Sequence, residues 1–184
     1  MSGSVKGGTF ISRLDFVRQR GGEELVVRVL ARLSEDDRGM LSRTLLPASW
    51  YPFDLAQRLD RAIAVELHDP DVFEKLGAQS AEDNLGAAHR IYVRKNDPHG
   101  LLKHAASIFR LYYDTGYRTY ERVGDGKAIL RTFETESFSA EDCLTVTGWH
   151  RRAIELCGGR NVRVTHPACR AHGASMCEYV CEWS

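Results

Sequence analysis

Cys169-Arg-Ala-His-Gly-Ala-Ser-Met-Cys177-Glu-Tyr-Val-Cys-Glu-Trp183 is the stretch whose reading decides the fold. Two cysteines stand eight positions apart across a segment that holds Gly173, and a strand closes the chain. Side chains alternate across a strand, so Cys177, Tyr179, Cys181 and Trp183 share one face. Glu178, Val180 and Glu182 take the other, which predicts a half-buried strand.

Working backward, Val162 and Val164 predict a short strand. Before it, Ser139-Ala140-Glu141-Asp142 is a capping signal for a helix carrying Leu144, Val146, Trp149, Ile154 and Leu156, stopped at Gly158. Tyr117–Val123 and Lys127–Phe133 flank Gly124-Asp125-Gly126 and predict a β-hairpin. The C-terminal part, 116–184, therefore reads hairpin, helix, strand, strand.

The part before it, 1–115, reads as mainly helical. Val5–Phe10 is a short strand or extended lead-in. Phe10, Leu14 and Val17 recur at helical spacing, and Gly21-Gly22 breaks that helix. Leu25, Val26, Val29, Leu30 and Leu33 stripe the next. Ser34 precedes three acids, a cap followed by an acidic first turn. Leu45–Pro52 reads as a packed loop. Asp54–Leu67 is a strongly amphipathic helix through Leu55, Leu59, Ile63 and Leu67. Asp69-Pro70 and Asp97-Pro98 each start a further helix, the first expected to pause near Gly77 and resume from Ser80 to Tyr92. The fold class is α+β, a helical half followed by an antiparallel sheet flanked by helices, in one domain over 1–184.

Bulk properties exclude several functions. Lys and Arg number 25, matched by 25 Asp and Glu, so there is no basic footprint for nucleic acid or an anionic membrane. Apolar runs are far too short for a membrane span. The N-terminus lacks the apolar core of a secretion signal, so the expected location is cytoplasmic. Five cysteines in a reducing compartment point to thiols or metal ligands rather than disulfides.

Gly148-Trp149, Gly158-Gly159-Arg160-Asn161-Val162-Arg163-Val164, Cys169-x7-Cys177 and the terminal aromatic strand resemble the vinyl-reductase-type ligand-binding domain. That fold is shared with TRAPP vesicle-tethering subunits and, more distantly, with haem nitric-oxide-binding domains. Lys6-Gly7 and Trp50-Tyr51-Pro52 are similar to a myxobacterial group of the same superfamily. The resemblance implies a homodimer, a small hydrophobic ligand between helices and sheet, and a zinc ion held by Cys143, Cys169, Cys177 and Glu134. Glu136 or Glu121 could substitute for Glu134, and His166 or His172 lie near enough in sequence to serve. The plainer reading is a buried thiol cluster, with Cys157 and Cys181 as packing. Trp50, Phe109, Tyr112 and Trp149 are the expected pocket residues, against the plainer reading of core.

Haem is not expected. His104 falls roughly where haem-binding relatives keep their proximal histidine, but the Tyr-x-Ser-x-Arg run they use for the propionates is missing after Phe133. No nucleophile–base motif is present: His150 and Cys157 are two helical turns apart, and Gly158-Gly159-Arg160 is no phosphate loop. The expectation is a non-catalytic sensory or regulatory module that binds a hydrophobic ligand. The alternative is a dimeric scaffold for a protein partner, and a haem or redox sensor is the least favoured reading.

Overall fold

Alternating burial along the last strand orders the C-terminal half. The computed structural model describes residues 3–86 and 89–184. β3 (Tyr117–Gly124) and β4 (Lys127–Phe133) form the hairpin, closed by Asp125-Gly126. β5 (Arg163–Ala168) and β6 (Cys177–Glu182) complete a four-stranded antiparallel sheet in the order β3-β4-β6-β5. Cys177, Tyr179 and Cys181 are buried on its inner face, beside Ala128 and Leu130. Each large apolar side chain so buried contributes about 1.5–3 kcal/mol. The sheet packs against α7 (Ala140–Leu156), whose first turn is capped by Ser139 Oγ accepting the Asp142 N–H at 3.0 Å.

The helical half begins with β1 (Ser4–Lys6) and α1 (Gly7–Ala31), broken where expected: Gly22 has φ +64°. α2 (Glu35–Leu41) starts from the Ser34 cap, and α3 (Phe53–Leu67) follows β2 (Trp50–Pro52). β1 and β2 pair antiparallel into a second, two-stranded sheet. The expected strand over Val5–Phe10 thus ends at Lys6, because Gly7 N–H donates to Ser49 O and the helix begins there. Phe10, Phe16, Leu59, Ile63 and Leu76 are buried together in this half.

α4 (Val72–Gly86) runs unbroken through Gly77, contrary to the expected pause. The reason is packing. A Cβ at Gly77 would sit 1.8 Å from the Thr145 carbonyl oxygen of α7, and one at Gly148 would sit 2.0 Å from the Glu74 carbonyl oxygen of α4. Two facing glycines let the backbones touch. The expected continuation to Tyr92 is not made: α4 ends at Gly86, Ala87 and Ala88 lie outside the described residues, and Arg90–Tyr92 form a single 3-10 turn. α5 (Pro98–Lys103) is capped by Asp97 and breaks at His104 before α6 (Ala105–Tyr112). No helix among the described residues is long and apolar enough to cross a membrane.

Candidate functional site

Two places in the fold concentrate chemistry, and both adjoin α7. The first is a cluster of three thiols and an imidazole. α7 supplies Cys143, one turn inside the Ser139 cap. β6 supplies Cys177 at its first residue. The register slip between Thr165 and Ala168 turns His166 and Cys169 toward them, and a 3-10 turn at Arg170–His172 with Gly173 at φ +90° carries the chain back. Cys143 Sγ lies 3.6 Å from Cys177 Sγ and 3.6 Å from Cys169 Sγ. One ligand atom from each of Cys143, His166, Cys169 and Cys177 lies within 4.8 Å of the others.

Hydrogen bonding orients the cluster. Glu178 O can only accept, so His166 Nδ1 carries a proton and donates it at 2.7 Å. His166 Nε2 is then buried with no protein hydrogen-bond partner. That is how a backbone carbonyl orients a metal-binding histidine. The Arg170 N–H donates to Cys177 Sγ at 3.4 Å. Contact with the Cys143 thiol lowers Cys177, helped by His166 against burial, while Cys143 moves up through the same contact and burial. Burial acts to lower His166, but Cys177 and Cys169 outweigh it and raise the ring to about 9. The cluster thus favours a thiolate beside an imidazolium, and a soft cation would displace those protons. Three sulfurs and one nitrogen form a donor set of closed tetrahedral metal sites.

Glu134 is not part of this cluster. It is exposed, at φ +53°, on the connection after β4. Glu136 and His172 are also exposed, and Glu121 accepts from Arg131 Nη1 at 2.7 Å on the outer face. The signal for the fourth member was His166-x2-Cys169. All five cysteines are free, and Cys157 and Cys181 are buried apart from the cluster.

The second place is a cavity of about 70 Å³ where the helical half meets the sheet half. Phe109, Tyr112 and Trp149 line it. Trp50 does not: it is 44% exposed on β2, with Lys6 Nζ 3.7 Å above its ring. The short β1–β2 pairing holds Trp50 at the surface. Charged groups that sequence reading passed over surround the cavity. Arg13 of α1 forks onto Asp60 of α3, with Nη2 to Oδ2 at 3.0 Å, and both are buried. Burial raises Asp60, with Arg13 opposing. Tyr113 O–H donates to Asp142 Oδ1 at 3.0 Å; burial lifts Asp142 to about 7, with Arg13 opposing. Arg118 of β3 is buried across the cavity. A lone Arg at helical or strand spacing gives no sign that it points inward, so these residues carried no signal.

His150 is completely buried, and burial first, then Arg118 and His166, hold it well below its ordinary range. It does not approach Cys157 in any hydrogen bond or ion pair.

The architecture is that of an α+β domain with a small cavity at the seam between helices and sheet. No family model matches the chain, and no curated protein matches it. Solved structures do. An H-NOX protein from S. oneidensis in the Fe(II)NO ligation state superposes with a TM-score of 0.75 over 97% of this chain and 99% of that one, at 18% identity. An H-NOX mutant from K. algicida gives 0.73 at 12% identity, over 97% and 96% of the two chains. An oxygen-binding H-NOX domain related to soluble guanylate cyclases gives 0.71 at 10% identity, over 97% and 95%. The fold is therefore the H-NOX fold.

This corrects two expectations. The likeness is to H-NOX domains, haem NO/oxygen-binding domains, and not to the vinyl-reductase-type or tethering-subunit structures that the sequence resemblance implied. Zinc without haem is corrected as well. Another similar structure, at a TM-score of 0.70 and 11% identity, concerns haem redox potential modulated by protein-induced porphyrin distortion, and the thiol cluster is not shown to hold zinc. The absence of haem was expected from a missing propionate motif, and that fold is kept at an identity too low for motifs to report it.

The cavity itself is poorly furnished for a haem. No histidine or cysteine lines it, and His104 is exposed with its ring stacked 4.4 Å from that of Tyr92. Tyr112 lines it, but burial pushes its phenol to about 12, so it stays protonated rather than offering a phenolate. A volume of about 70 Å³ is well below the roughly 300–1,000 Å³ of pockets for drug-sized ligands. In this arrangement the lining residues do not fit a haem.

Proposed function

We propose that this chain is a non-catalytic sensor domain that reads a small molecule at the seam between its helical half and its sheet. The observation that carries this is the cavity itself. It is walled by α1, α4, α6, α7 and β3 together, so a molecule bound there contacts both halves at once. A ligand that prefers one disposition of the halves would shift their equilibrium by its differential affinity. The buried Arg13–Asp60 pair at this wall supports the reading, because a core built only for stability is often as well served by apolar side chains. The H-NOX fold agrees with a sensory role, since similar H-NOX structures are in an NO-ligated state or an oxygen complex.

Native mass spectrometry of the purified protein, with an absorption spectrum of the same sample, tests the reading. A bound small-molecule mass supports it, whereas a Soret band would report a haem, which the cavity lining does not fit; the mass also counts subunits, where a homodimer is expected. A bare chain whose hydrogen exchange in α1, α4 and α6 does not change with any small-molecule probe, haemin included, removes it.

A further inference from the structure

Of the two buried guanidiniums at the cavity, one has a counter-ion and the other does not. Arg13 is forked onto Asp60. Arg118 donates from Nε to Thr132 Oγ1 at 2.9 Å and from Nη1 to His150 Nε2 at 3.4 Å. Its guanidinium lies 4.8 Å from the Phe109 ring centre. Among the described residues no carboxylate approaches it within 4.0 Å. Asp142 feels its charge through space, but the hydrogen bond that Asp142 accepts comes from Tyr113. Among the described residues Arg118 Nη2 takes part in no hydrogen bond. A buried cation without a paired anion is costly, and here it borders a cavity.

The rest of the wall limits what could answer that charge. Ala105, Ile108, Val146 and Trp149 make one side apolar, while Asn84 adds a polar side chain. The volume of about 70 Å³ is roughly half that of an engineered cavity of about 150 Å³ that holds benzene. A ligand of only a few heavy atoms is accommodated. A guanidinium with no carboxylate in contact calls for an anion, and the apolar side calls for a hydrocarbon end. Phosphate and sulfate lack that end.

We propose that this cavity binds a short-chain monocarboxylate, with its carboxylate on Arg118 and its alkyl end against Ile108, Val146 and Trp149. A carboxylate matches the planar guanidinium fork in geometry as well as charge. The inference rests on the sensor reading above and names the ligand class for its site.

The experiment is calorimetric titration of the full chain with sodium propionate, and separately with propionamide, at fixed ionic strength set with sodium chloride. The expected result is saturable binding of propionate, at least tenfold weaker binding of propionamide, and at least tenfold loss of propionate affinity in Arg118→Gln. Arg118→Gln could lose its fold, so Ile108→Phe is the second variant: it keeps the guanidinium and fills the cavity, and it should abolish binding with native circular dichroism retained. Propionamide binding as tightly as propionate overturns the carboxylate, yet leaves the sensor reading standing if Ile108→Phe blocks it. Undiminished propionate binding in Ile108→Phe places the anion elsewhere and overturns the site. No binding by any acid from formate to butyrate overturns the inference, and the sensor reading is then decided by its own mass-spectrometric test.

Discussion

Gly77→Ala puts the crossing of α4 and α7 to a quantitative test. The added methyl would meet the Thr145 carbonyl oxygen at 1.8 Å and the Trp149 backbone nitrogen at 2.8 Å. Both are backbone atoms inside a helix and cannot rotate away. Restoring the ordinary 3.4 Å contact requires the helices to separate by about 1.6 Å. Overpacking of this kind costs about 1–3 kcal/mol and sometimes more. Against it stands the better helix propensity of Ala, about 1 kcal/mol. Two backbone atoms are struck at once, so the upper end of the range applies, and the expected net loss is about 2 kcal/mol. For a chain of this size that lowers Tm by about 4–8 °C. Urea unfolding followed by circular dichroism measures it, with Gly39→Ala as the control. Gly39 sits in α2 with nothing within 4 Å of its would-be Cβ, so that change should be neutral or stabilising by up to about 1 kcal/mol. If Gly77→Ala unfolds within about 0.5 kcal/mol of the parent, within the spread of ordinary surface changes, the close crossing is not what holds these helices. Because Ser80 and Asn84 of α4 and Val146 and Trp149 of α7 line the cavity, the same substitution should also enlarge the cavity, readable as faster hydrogen exchange along α6.

Two further outcomes are expected. Asp60→Asn leaves Arg13 buried without its anion and should cost about 3–5 kcal/mol in urea unfolding, whereas Arg13→Met with Asp60→Leu should recover most of it; equal losses in the single and double variants would contradict the pairing. His150 is held well below its ordinary range by burial first, so the unfolded chain takes up a proton that the folded chain refuses. Its contribution to stability is therefore present above the unfolded value near 6.5 and lost as pH falls below it, at up to about 1.4 kcal/mol per pH unit. His150→Gln should flatten the stability–pH curve over pH 5–6.5, and an unchanged slope would mean that another group is responsible.

The C-terminal half was readable because its signals are local. Alternation from Cys177 to Trp183, the Asp125-Gly126 turn and the Ser139 cap each act over a few residues, and each formed its element. The pause near Gly77 misled because Gly is a weak helix former in isolation; the contact with Thr145 that makes it necessary lies 68 positions away. Glu134 was placed by its position after the hairpin, yet its φ of +53° turns the chain so that it stays exposed. His166 took the fourth corner instead, through a register slip that spacing alone does not show.

By itself the sequence determined the α+β class, the order of the helices and strands in its C-terminal half, and the residue types available for chemistry, because periodicity, capping and turn preference are properties of neighbours in the chain. Only the tertiary structure decided which of those residues meet. Arg13 finds Asp60 from 47 positions away, Arg118 is left without a carboxylate beside a cavity, and Cys143 joins His166, Cys169 and Cys177. Each depends on which face a helix or strand turns inward, and that is set by the packing of whole elements against one another rather than by any stretch of chain on its own.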